Sequence, residues 1–196
     1  MANNIVCAEL TGAIDYSCIR NFPKKYFQEA VIINLNDIDK KNSIIGTIGT
    51  SACDYTLRMV LKSLKKGIQV KLPATGNAIK GFTAKSKTDN GWVQYLHQVQ
   101  FLMLGASALA KCQMDKLDHG RYAVALQATD GTVEIYGYEN GLTTADYTYD
   151  ITEGGGGSLI VLQSDENAQE SMLPLVYKPT ALGDANADFN EQFNTV

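Results

Sequence analysis

Residues 91–142 read GWVQYLHQVQFLMLGASALAKCQMDKLDHGRYAVALQATDGTVEIYGYENGL, and their periodicity sets the fold class. In the opening segment Val93, Tyr95, His97, Val99, Phe101 and Met103 share one face, while Trp92, Gln94, Leu96, Gln98, Gln100, Leu102 and Leu104 share the other. Side chains of a strand point alternately to its two faces, so a period of two specifies a strand. Thirteen residues at about 3.3 Å each give a strand of roughly 43 Å. That exceeds the sheet of a compact small domain, which predicts that part of it projects.

A helix is expected next. Ser107 suits the N-cap, Ala106, Ala110, Gln113, Met114 and Leu117 recur at steps of three and four, and Gly120 suits a left-handed stop. Arg121 to Gln127 then alternates, with Tyr122, Val124 and Leu126 on one face and small Ala123 and Ala125 on the other. Asp130-Gly131 signals a two-residue hairpin, because that tight turn needs positive φ, and Thr132 to Tyr136 returns as its partner strand. The unit is strand, helix, hairpin.

Working outward, Tyr26 to Leu35, Ile44 to Ile48, Ile68 to Leu72, Ser158 to Gln163 and Leu173 to Tyr177 read as further strands, with weak alternation over Thr143 to Ile151. Leu57, Val60, Leu61 and Leu64 fit a helix running from Thr50 to Gly67, with Lys62, Lys65 and Lys66 in its last turn, where cations suit the helix dipole. Strands outnumber helices, and the expectation is a β-rich α+β chain with one or two flanking helices and an extended arm. Residues 1–180 form a single domain in this reading, with the arm or loop at about 74–90 and an acidic tail over 181–196.

The net charge of −4 argues against a general nucleic-acid binder, which would be basic. The start MANNIVCAELTG lacks the basic opening and long apolar run of a signal peptide, and no stretch reaches the length of a membrane span. These features point to a soluble protein of a cytoplasmic compartment, with no membrane partner. Cys7, Cys18, Cys53 and Cys112 are scattered without a C-x-x-C pair, so reduced, mostly buried thiols are expected. His97 and His119 stand at no metal-ligand spacing, Gly154 to Gly157 lacks the Lys-Ser/Thr of a phosphate loop, and no nucleophile elbow occurs. The expectation is a protein without catalytic activity, cofactor or metal.

Charge is unevenly distributed. From Tyr55 to Thr88 the cations Arg58, Lys62, Lys65, Lys66, Lys71, Lys80, Lys85 and Lys87 meet no acid. From Gln113 onward fourteen acids face only Lys116, Arg121 and Lys178. A chain with a basic and an acidic surface suits head-to-tail docking of identical copies, which makes a ring where the rotation closes. Two solvated faces of a monomer are the simpler alternative. The candidate interface is Arg58, Lys62, Lys65, Lys66, Lys80, Lys85 and Lys87 against Asp165, Glu166 and Glu170.

The central unit resembles structural tail proteins of phages and prophages of gut Bacteroidetes, in which a long alternating strand and a short helix precede a glycine-marked hairpin. Asp130-Gly131, Tyr136-Gly137 and Asn140-Gly141-Leu142 match that hairpin, and CAELTGAIDYSC followed by EAVIINLNDI is similar to the family's opening. The resemblance implies a tail-tube-like β-barrel or sandwich assembled around a DNA-conducting lumen. The lysine-bearing segment from Thr50 to Gly67 and the long tail depart from the pattern, so both a tube subunit and a neck or hub ring, as in crAss-like phages, stay open. The implied partners are copies of itself, six or twelve to a ring, neighbouring tail or portal-region proteins, and genomic DNA passing without specific binding. The implied location is the virion tail, assembled in the host cytoplasm. A soluble β-rich binding module for carbohydrate or protein is the alternative, with Trp92, Tyr136, Tyr138, Tyr147 and Tyr149 as its aromatic platform.

Overall fold

A computed structural model describes residues 27–46, 55–70, 79–88, 90–104, 107–145, 147, 149 and 157–178. At its centre is strand β7 (Tyr122–Ala128), every residue of which is buried. A strand buried on both faces needs apolar side chains at every position, and YAVALQA supplies them apart from Gln127. β1 (Phe27–Asn34) pairs antiparallel to it, with Ala30 opposite Leu126 and Ile32 opposite Val124. Alternate residues of this pair serve two packed groups.

On one side Val31, Ile33, Ala123 and Ala125 meet Leu57, Met59, Ile135, Tyr138, Leu175 and Tyr177. On the other, Ala30, Ile32, Tyr122, Val124 and Leu126 meet Val99, Phe101, Met114, Leu117, Leu142, Ile160 and Leu162. Full burial of a side chain such as Leu126 contributes about 1.5–3 kcal/mol, and β7 places such residues in both groups. It is the shared wall of the molecule.

The remaining strands are β2 (Ile44–Ile45), β3 (Thr56–Arg58), β4 (Ile68–Val70), β5 (Ile79–Lys87), β6 (Val93–Leu104), β8 (Val133–Tyr136), β9 (Leu142–Thr144), β10 (Gly157–Ser164) and β11 (Leu175–Tyr177). Their order is β2-β3-β11-β8-β7-β9-β10-β6-β5, with β4 on β1. β3 and β11 pair in parallel and the other ladders are antiparallel, so the sheet is mixed. With a single α-helix among the described residues, this is a β-rich α+β fold.

That helix, α1 (Ala108–Asp118), starts as expected: Ser107 accepts a hydrogen bond from the Ala110 amide, and Ala110, Met114 and Leu117 are its buried residues. Its end differs. His119 is the C-cap, and Gly120 is not in the left-handed region; a Cβ there would stand 2.0 Å from the Tyr122 hydroxyl oxygen. Gly120 makes room for a ring rather than for a turn. Cys112 is exposed on α1, and the other three cysteines of a set expected to be mostly buried lie outside the described residues.

The helix expected over Thr50 to Gly67 is absent from residues 55–67, which hold β3, the bridge Ile38–Leu61 and a turn; residues 50–54 lie outside the described range. Leu57, Met59 and Leu61 are buried and alternate, a strand signal that competed with the helical spacing and won. Leu64, assigned to the apolar stripe of that helix, is fully exposed at φ 63°. The hairpin after β7 also differs: the Gly131 amide bonds the Ala128 carbonyl and the Ala128 amide bonds the Thr132 carbonyl. This is a three-residue loop with Gly131 at φ 82° as its left-handed residue.

Candidate subunit interface

The expected projection is limited: β6 outruns β10, yet Ser86 of β5 bonds Gln169 and His97 bonds the Met172 carbonyl, which holds the hairpin against residues 169–172 almost to its tip. β10 pairs with β6 from Leu104 down to Gln98, and beyond that point β6 keeps β5 on one side and a single bridge from Tyr95 to Glu170 on the other. β5 pairs with β6 along its whole length, from Ile79 opposite Phe101 to Lys87 opposite Val93. The expected arm at 74–90 is thus a β-hairpin over 79–104, while 71–78 lies outside the described residues. Its tip is fixed. The Thr88 amide donates to the Trp92 carbonyl at 2.9 Å, the Gly91 amide to the Thr88 carbonyl at 2.8 Å, and the Trp92 amide to Thr88 Oγ1 at 3.0 Å.

Register sets what this hairpin shows to solvent. On the outer face Leu159 lies opposite Leu102, Val161 opposite Gln100 and Lys80, Gln163 opposite Gln98 and Phe82, and Ala84 opposite Leu96. Lys80 is the one charge in this set. Phe82 is 54% exposed, Leu159 51% and Trp92, at the tip, 65%. Apolar side chains on an exposed, nearly uncharged sheet face make it a candidate interaction surface.

The sequence-derived interface residues divide into sets. Lys80, Lys85 and Lys87 are exposed along β5, at one end of the strand order. Arg58 lies on β3, next to the opposite end, with Lys62, Lys65 and Lys66 in the turn beyond it. Lys62 Nζ donates to the Asn36 carbonyl at 2.6 Å, and Lys65 pairs with Asp37 at 3.3 Å. These two are engaged locally, and the strand order separates the turn from the arm. Asp165 faces Arg121 at 3.8 Å and accepts from the Asn167 amide, and Glu166 is exposed.

Glu170 departs from its expected role. It is 2% exposed, and its carboxylate accepts from the backbone amides of Glu139 at 2.8 Å and Asn140 at 2.9 Å. Burial pushes its carboxyl up, against those amides, which pull it down. It is an anchor inside the molecule and no part of a surface. Sequence reasoning missed this because an acid in an acidic loop reads as solvated, and nothing in the local pattern marks its partners some thirty residues away.

His97 anchors the same loop from β6. Its Nδ1 accepts from the Gly137 amide at 3.2 Å, which leaves the proton on Nε2, donated to the Met172 carbonyl at 2.9 Å. Burial lowers its pKa to about 4, so the ring is neutral. Gly137 takes φ 69°, and a Cβ on it would stand 2.5 Å from Leu142 Cγ. Together these contacts fix residues 137–141 beside the base of the arm. Both ring nitrogens of His97 are occupied, so it offers no base to a substrate.

Other candidates carry less. An open hollow of about 530 Å³ is lined by Asn34 to Asp37, Lys65 and His119 to Arg121, but Lys65 is paired with Asp37 and Arg121 donates to the Asn140 carbonyl at 3.1 Å. Among the described residues no group of three or more His, Cys, Asp or Glu is placed to hold a metal ion, and no helix is long and apolar enough to cross a membrane. The expected aromatic platform is dispersed. Tyr136 and Tyr138 are buried, the Tyr147 hydroxyl donates to Asp118, and Lys111 lies over the Tyr149 ring, far along the chain from exposed Trp92. No protein-family model, curated protein or solved structure matches the chain.

Proposed function

We propose that the chain is a virion structural protein that assembles with copies of itself into a ring, as a tail tube or a head–tail or tail ring, around a lumen that conducts DNA. One observation carries the reading: the outer face of the β10–β6–β5 strands exposes Phe82 and Leu159 with Lys80 as its one charge, and the hairpin tip exposes Trp92. An exposed, nearly uncharged sheet face can bury itself against a neighbour, and main-chain pairing at the free edge of β5 would add affinity. Lysines on the arm and acids elsewhere on a chain of net charge −4 favour a heterologous, ring-closing contact over a face-to-face dimer. An overall acidic wall also suits a conduit, since tight phosphate binding would stop DNA from sliding.

Negative-stain electron microscopy of the purified protein tests this directly. Rings or short tubes with a stain-filled centre are expected, and six or twelve copies per ring fit the family the sequence resembles. A field of single particles of 21.3 kDa at every concentration contradicts it.

A further inference from the structure

We propose that Asn90 is a self-modifying site, at which the Gly91 amide displaces ammonia from the side chain and a carboxylate is left at the tip of the arm. The inference goes beyond the assembly proposed above and does not depend on it. Two Asn-Gly steps occur in the chain, Asn90-Gly91 and Asn140-Gly141, and the fold places them in opposite surroundings.

The reaction needs water and no other reactant. The main-chain nitrogen of the glycine attacks Cγ of the asparagine, an N–C bond forms, the Cγ–Nδ2 bond breaks and ammonia leaves, which closes a succinimide ring. Water then opens the ring. Opening at the side-chain carbonyl gives aspartate, and opening at the main-chain carbonyl gives isoaspartate, which carries an added methylene in the main chain. Glycine favours the closure because no Cβ hinders the approach of its nitrogen and its φ is unrestricted.

At Asn90 the step is open. Asn90 and Gly91 are exposed, and the Asn90 side chain makes no hydrogen bond among the described residues, so its Cγ is free to turn toward the Gly91 nitrogen. That nitrogen donates to the Thr88 carbonyl. The bonds that fix the tip join Thr88 to Gly91 and Trp92, so they can open at the end of the hairpin without disturbing either packed group.

At Asn140 the same step is locked. Nδ2 donates to the Gln169 carbonyl at 2.8 Å, the main-chain amide donates to buried Glu170 at 2.9 Å, and the carbonyl accepts from Arg121 at 3.1 Å. Gly141 is buried, and its amide also bonds Glu170. Freeing that nitrogen means undoing the contacts that fix residues 137–141.

The full chain is held in mildly alkaline buffer made with oxygen-labelled water and then digested with trypsin in ordinary water. The peptide 88–111 holds Asn90 as its only asparagine, and the peptide that begins at Tyr122 holds Asn140. Mass spectrometry should show labelled carboxylate in 88–111 accumulating at least about tenfold faster than at Asn140. Both aspartate and isoaspartate are expected. In guanidinium chloride the two rates should converge, since each is then an unconstrained Asn-Gly step.

Equal rates in the folded chain, or faster conversion at Asn140, would overturn the inference. Conversion of 88–111 in denaturant alone would overturn it too, by showing that the tip bonds protect the Gly91 nitrogen. Aspartate without isoaspartate would mark direct hydrolysis by water and remove Gly91 from the reaction.

Discussion

His97 and Glu170 are buried beside the arm, and they respond to pH in opposite directions. The folded pKa of His97, about 4, lies below its ordinary 6.5, so its contribution to stability is complete above pH 6.5 and is lost as pH falls toward 4. The full effect is up to about 3 kcal/mol. Glu170 is shifted upward, so it contributes in the opposite sense: what it adds is complete below its ordinary pKa and lost as pH rises through the folded value. Urea unfolding from pH 7 to pH 4 should therefore show a loss of stability that His97→Gln flattens, at the cost of lower stability at pH 7. An unchanged slope in that variant would assign the acid sensitivity elsewhere. Glu170→Ala should cost about 2–4 kcal/mol at neutral pH, because two buried amides lose their acceptor. A midpoint within error of the parent would contradict the anchoring role.

At the scale of elements, the alternation of β6 was legible, because period two depends only on which side chains are apolar, whereas the contacts that hold its outer end against residues 169–172 were not. Nor were the pairings that place β6. Gly81 shows why: a Cβ on it would stand 2.5 Å from the Tyr136 hydroxyl oxygen and 2.9 Å from Leu126 Cδ1, a contact between segments far apart in the chain. Nothing beside Gly81 in the sequence marks it. Gly81→Val should overpack this crossing and cost about 1–3 kcal/mol, read as a lowered urea midpoint; a neutral substitution would mean that β5 stands off the wall. The segment 55–67 misled for a related reason. Leu57, Met59 and Leu61 satisfy a strand, Leu57, Leu61 and Leu64 satisfy a helix, and packing against Ile38 and Tyr177 selected the strand. Of the lysines, Lys85 and Lys87 lie on the arm, and Lys85→Glu/Lys87→Glu should weaken assembly by about tenfold or more without changing the thermal midpoint by more than a degree or two. Equal assembly in that variant would remove the arm's charge from the account.

At the scale of the whole molecule, the described residues form two packed groups on either side of the β1–β7 wall, and the β5–β6 hairpin outruns β10. Its charge asymmetry is plain in the sequence, but its partition is not, because Lys62 and Lys65 turn to Asn36 and Asp37 while the arm lysines stay exposed. What the fold leaves unpaired among the described residues is the outer edge of β5, and the proposed ring follows from completing it with a neighbour. Sedimentation velocity of the purified chain over a hundredfold range of concentration tests that claim most directly. The account predicts a closed species at a fixed multiple of 21.3 kDa that grows at the expense of the monomer, whereas a lone 21.3 kDa species throughout would contradict it.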